Sequence, residues 1–158
     1  MKQDMCVTCD DGILNIRVGA IIMKDGRILM VGNERSNYLY SVGGRIKFGE
    51  TAEEAVVREV LEETGVKLAV DRPVFFHEQF FDEEVTGEHF HEIAVYYLMK
   101  DNAALGDIKC SSVTERGVSE ELIWIPLDEL EQHYVVPVSI ARELKNLPTH
   151  LTPIVERD

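Results

Sequence analysis

Gly44-Arg45-Ile46-Lys47-Phe48-Gly49-Glu50 and, after seven intervening residues, Arg58-Glu59-Val60-Leu61-Glu62-Glu63-Thr64-Gly65-Val66 join a glycine loop to a helix with three carboxylates on one face. At about 100° per residue, Glu59, Glu62 and Glu63 fall within an arc of roughly 100°. Like charges three and four residues apart cost a helix about 0.2–0.5 kcal/mol per pair. A divalent cation held by oxygen ligands would offset that cost. Thr51, with Glu54 three residues on, reads as a capping box at the helix start, and Gly65 as its C-terminal glycine. Val56, Val57, Val60, Leu61 and Thr64 form the expected core stripe.

Around this stretch the chain alternates strands and helices. Ile13 to Met23 reads as a strand, Lys24-Asp25-Gly26-Arg27 as a hairpin turn, and Ile28 to Gly32 as the returning strand. Tyr38 to Val42 runs into Gly43-Gly44. Two longer strands cover about 74–83 and 90–99, and 101–119 is a long polar loop of the kind that often covers a site. A strand over 121–125 and a short turn over 127–132 follow. Pro137 opens a final helix with Ile140, Ala141, Leu144 and Leu147 on its buried stripe. The tail, 149–158, is expected to be loosely held. This order predicts one α/β domain over 1–158, an α/β/α sandwich around a mixed β-sheet.

The glycine, the outer glutamate and the Arg-Glu-x-x-Glu-Glu-x-Gly run have the spacing of the Nudix box, which the chain resembles over residues 44–66. The resemblance implies the Nudix sandwich and a metal-dependent hydrolase. It implies an activity that would split the pyrophosphate bond of a nucleoside diphosphate linked to another moiety, or of a nucleoside triphosphate. It further implies Mg²⁺ or Mn²⁺ as cofactor, with Glu59, Glu62, Glu63 and the Gly43 carbonyl as ligands. Arg58 and Glu50 are then the supporting pair that fixes the ligand rotamers. Glu120 and Glu121, with Glu115 behind them, are candidates for a distant general base. A homodimer is another expectation from the family. Ser41-Val42 departs from members with a proline before the glycine pair. No substrate-specific motif of the family stands out.

Arg35 and Arg45 flank the glycine loop as candidate phosphate contacts. His77, His89 and His91 lie on the two long strands as candidate substrate contacts, with a His89/His91 metal pair as an alternative. Cys6 and Cys9 read as ordinary thiols, because a structural zinc needs four ligands and only Cys110 remains, with a partial metal site or a crosslink as the alternative.

The 158 residues suit one core-bearing domain, and 45% are hydrophobic. No apolar run reaches the ~20 residues that span a bilayer, and the N-terminus lacks a secretion signal, so a cytoplasmic location is expected. The net charge of −13 disfavours a nucleic-acid polymer as partner and favours a small nucleotide shielded by metal. The rival reading is a non-catalytic nucleotide sensor, which would be expected to lose a box carboxylate; this chain keeps all three. A calcium-binding module without nucleotide affinity is a third.

Overall fold

The computed structural model describes residues 2–34, 36–108, 111–113 and 119–157. Strand β1 (Cys6–Cys9) folds back on β2 (Gly12–Ile21). The Asp-Gly turn is built as expected: Asp25 and Gly26 both have positive φ, 53° and 73°, between β3 (Met23–Lys24) and β4 (Arg27–Asn33). Next come β5 (Tyr40–Arg45), helix α1 (Ala52–Thr64), β6 (Val70–Asp82) and β7 (His89–Met99). A 3-10 helix (Ala103–Asp107) and β8 (Ser111–Val113) occupy part of the expected long loop. The chain ends with β9 (Ser119–Pro126), a 3-10 helix (Leu127–Gln132), α2 (Val138–Ala141) and β10 (Thr152–Arg157).

The mixed sheet runs β10-β6-β7-β2-β5-β4-β9-β8, with β2/β7 and β10/β6 parallel. Apolar clusters fill both faces. One places Val18, Val31, Val42 and Leu122 against Ala55, Val56 and Val60 of α1. The other places Ile21, Met30, Phe75 and Ile125 against Leu130, Ile140 and Leu144. The fold is therefore the expected α/β sandwich, with a thin second layer. Among the described residues no helix is long and apolar enough to cross a membrane.

Helix α1 starts where the sequence says it should. The Thr51 hydroxyl accepts from the Glu54 N–H at 3.1 Å, and the Glu54 carboxylate accepts from the Thr51 N–H at 2.9 Å. Gly65 ends the helix at φ 76°. Thr51→Ala should lower stability by about 1 kcal/mol, read as a fall in the chemical-denaturation midpoint without a change of slope.

Three expectations are corrected. Leu61 is 45% exposed, and fully buried Ala55 takes its place, because the core stripe turns toward the box loop. The final helix is short: only Val138–Ala141 is α-helical, although Ile140 and Leu144 are buried. The tail is not loose, since β10 pairs with β6 from Thr152↔Phe75 to Arg157↔Phe80. It is held by Ile154 in the second cluster, by Glu156 at 3.1 Å from His77 Nε2, and by Arg157 over the Phe80 ring. Such alternating side-chain anchoring on a single edge strand is a weak sequence signal next to Pro148 and Pro153.

Candidate functional site

Gly43 and Gly44 lie on β5 opposite Gly19 and Val18 of β2. A Cβ on Gly43 would collide with the Val18 carbonyl, and one on Gly44 with the Glu59 carboxylate. The glycine pair therefore lets strand, helix and carboxylate meet at a distance no other residue permits. Gly44→Ala should displace Glu59 and lower kcat/KM at least about tenfold for any hydrolytic substrate, on the scale of misplaced catalytic groups.

Arg58 organises the carboxylates. Its guanidinium donates to both Glu50 oxygens, at 2.5 and 3.0 Å, to Glu59 at 2.8 Å, to Glu62 at 3.3 Å and to the Arg45 carbonyl at 3.0 Å. Glu50 also accepts from the Lys47 N–H at 2.9 Å. Arg58 first, helped by that N–H, holds the Glu50 carboxyl below the usual carboxylate range. The hydrogen bond to Glu50, followed by that to Glu59, pushes the Arg58 pKa up. A planar fork gripping one carboxylate with two donors fixes the orientation of both groups. Arg58 draws Glu62 outward, where its side chain is 56% exposed.

Glu59 and Glu63 stay inside. Burial raises the Glu59 pKa against the pull of Arg58. Glu63 is pushed up to about 8, first by burial, then by the charges of Glu59 and Glu120; the Gly43 N–H and Arg17 oppose the rise. Its Oε2 is buried with no hydrogen-bond partner. Such an atom is costly unless something absent from the chain completes it. Among the described residues no three His, Cys, Asp or Glu side chains converge as a metal cluster, and both Glu59 and Glu62 are bonded to Arg58.

Glu120 and Glu121 separate. On β9, Leu122 belongs to the α1-side cluster, while Ile123 and Ile125 belong to the opposite one. Alternation puts Glu120 on the α1 side and Glu121 on the other. Glu120 accepts from the Tyr40 hydroxyl at 3.4 Å, and Tyr40 accepts from Asn33 Nδ2 at 3.3 Å. Burial, with smaller contributions from Glu120 and Glu63, raises the Tyr40 pKa, so the three groups share one neighbourhood.

The remaining candidates lie elsewhere. Arg45 donates to Asn15 Oδ1 at 2.9 Å, and Asn15 donates to Glu92 at 2.8 Å. His77 is fully buried, with Nε2 at 3.1 Å from Glu156 and 3.3 Å from Ser139 Oγ. His89 pairs with Asp82, and His91 lies 3.2 Å from Glu78 with its ring tilted against Phe80. His91 is in register with Leu14, four residues along β2 from Val18, so these histidines sit away from the glycine pair. Cys6 and Cys9 are free thiols three positions apart on β1, which alternation points to opposite faces. Arg35, Cys110 and Glu115 lie outside the described residues. The sequence reading missed Arg17. Its charge acts on both Glu59 and Glu63, yet no ion pair of Arg17 is found among the described residues. The one available signal was its place on β2, beside the position that faces Gly44.

The description "NUDIX domain" fits the chain over residues 14–144 by comparison with family models. The protein belongs to the Nudix family. A putative mutator protein MutT4 of Mycobacterium tuberculosis is 32% identical over 121 residues, covering 76% of this chain and 43% of that protein. A CTP pyrophosphohydrolase of Escherichia coli is 25% identical over 127 residues, covering 78% and 84%. The crystal structure of a MutT NUDIX hydrolase from Burkholderia pseudomallei superposes with a TM-score of 0.58 at 29% identity, over 83% of this chain and 97% of that one. The matched part of this Nudix chain spans 43%, 34%, 32% and 51% of the lengths of four curated relatives, MutT4 among them.

Proposed function

We propose that this Nudix protein is a divalent-metal-dependent pyrophosphohydrolase. Its substrate is a nucleoside diphosphate linked to a second group, or a nucleoside triphosphate. The observation that carries the reading is the unpartnered, buried Oε2 of Glu63, beside Glu59 and a glycine pair that leaves room for nothing larger. Hard oxygen donors in a cramped, negatively charged niche fit Mg²⁺ or Mn²⁺. Glu59 and Glu63 would hold the ion with the Gly43 carbonyl, and Glu62, bonded to Arg58, would join them only by turning inward. Bound there, the ion would neutralise phosphate charge and acidify a water.

The chain's own groups do the rest. Arg58, clamped by Glu50, keeps Glu59 aimed at the glycine pair. Arg17, whose positive charge acts on both Glu59 and Glu63, would help draw a phosphate toward the site. Glu120, on the α1 side and bonded to Tyr40, would take a proton from the attacking water. Preorganised charge of this kind supplies most of the rate in such reactions.

Names among the relatives, such as CTP pyrophosphohydrolase and ADP-ribose pyrophosphatase, frame the test. Phosphate release should be screened on nucleoside triphosphates, ADP-ribose, nucleotide sugars and dinucleotides, with Mg²⁺ and with Mn²⁺. Turnover of at least one class, abolished by EDTA, is expected. Silence on every class with both ions, or turnover indifferent to EDTA, would overturn the reading.

A further inference from the structure

The strand that offers Glu120 to the carboxylate niche offers Glu121 to a cavity on its other face. This cavity, about 610 Å³, is lined by Tyr38, Tyr134, His133, Ile123, Ile125 and the Glu121 strand. That volume lies within the range of small-molecule sites. Gly32 stands directly opposite Glu121 on β4, and the Leu39 and Ile123 side chains pack over the place its Cβ would take, so the floor beside the carboxylate is apolar. Tyr38 and Tyr134 meet edge to face with centroids 6.2 Å apart, and they are 37% and 55% exposed. Two large aromatic rings left open to solvent on the wall of a cavity are surfaces for stacking.

The carboxylates of Glu120 and Glu121 border the cavity. A flat, uncharged ring bearing N–H donors would be held, because a carboxylate only accepts hydrogen bonds. The cavity and the niche meet at the end of β4, where Asn33 pairs with Glu120 and Tyr40 bonds both. A ligand lying across this strand end keeps its ring over the tyrosines and its phosphates on the Glu63 side.

We propose that this cavity receives the base of the nucleotide and that Glu121 selects bases with an exocyclic amino group. The inference rests on the hydrolase reading for its ligand class, and its test separates the two. Affinities are measured by calorimetry with Ca²⁺ replacing the catalytic ion, for CTP against UTP and for GTP against ITP. Within each pair the sugar and phosphates are identical, and only one member carries the amino group in question.

The wild type should bind the amino-bearing member at least about tenfold tighter, the discrimination typical of one well-made contact to a base edge. Glu121→Gln, which adds a donor at the same place, should shrink that ratio below about threefold. Tyr134→Ala should weaken both members of each pair alike, by about tenfold, through lost stacking. Tyr38→Ala gives the same readout should Tyr134→Ala fail to fold. Equal binding within each pair, a ratio untouched by Glu121→Gln, or no binding at all would overturn the proposal. Cleavage with Mg²⁺ is scored separately. Nucleotides cleaved without discrimination would leave the hydrolase and remove the base pocket. Discriminating binding without cleavage by either ion would do the reverse.

Discussion

Glu63→Gln should cut kcat at least about 10²-fold while the protein remains folded, on the scale of removing a key electrostatic group from a preorganised site. The substitution is nearly isosteric and keeps one oxygen, so the packing around α1 should survive. The negative charge and one hard oxygen are lost at the point where the buried Oε2 has no partner. KM for the nucleotide should change little, because the base and remote phosphates would be gripped elsewhere. The metal concentration needed for half-maximal rate should rise instead. The measurement is a steady-state titration of substrate at several Mg²⁺ and Mn²⁺ concentrations. Near-normal kcat with an unchanged metal dependence would remove Glu63 from the site. Glu62→Gln makes the internal comparison: its carboxylate is turned to Arg58 and to solvent, so its effect should be the smaller of the two.

What was legible in the chain follows from where its constraints are local. The box helix could be placed to the residue because Thr51, Glu54 and Gly65 act within one turn of themselves. The hairpin at Asp25-Gly26 follows from the same kind of short-range rule. The carboxylate face could be read from helical period, and so could its neighbour Arg58. The division of labour among the three glutamates could not. Period alone makes Glu62 equivalent to Glu59 and Glu63, and only the reach of Arg58 from its clamp on Glu50 separates them. Long-range pairing was the other blind spot. Nothing near residue 152 announces a strand; β10 exists because His77 and Phe75, some eighty positions earlier, present an open edge to it. Arg17 was hidden for the same reason, since its importance comes from a cross-strand neighbour rather than from its own surroundings. Glu120 and Glu121 looked interchangeable until the faces of β9 were known, and their separation gives them different surroundings.

Without metal, the protein should become less stable as pH rises from about 5 to about 8, the reverse of ordinary carboxylate behaviour. Burial, more than any other cause, pushes the Glu63 pKa in the folded chain up to about 8 from an ordinary value of 4.5. Between those values the unfolded chain has released this proton and the folded chain still holds it. The folded state therefore binds more protons, and stability declines with pH across that window. Below the window both states are protonated and no penalty arises; above it the folded state carries the full cost of a buried charge beside Glu59. Each tenfold change in proton affinity is worth about 1.4 kcal/mol, so the total is on the order of a few kcal/mol. Glu59, whose pKa is also raised, adds in the same direction. Glu50 opposes it, since its lowered pKa adds stability as pH rises through the ordinary carboxylate range, but that gain is complete near the bottom of the window. A divalent cation should bind the ionised pair and cancel the loss, so Mg²⁺ should raise Tm far more at about pH 8.5 than at about pH 5.5. Glu63→Gln should flatten both dependences, because its side chain has no proton to lose. Thermal melts in EDTA and in Mg²⁺, across pH and for both proteins, make the measurement. A wild-type Tm in EDTA that climbs steadily across that pH range, or a Mg²⁺ effect equal at both ends, would show that this carboxylate is already satisfied by the chain itself.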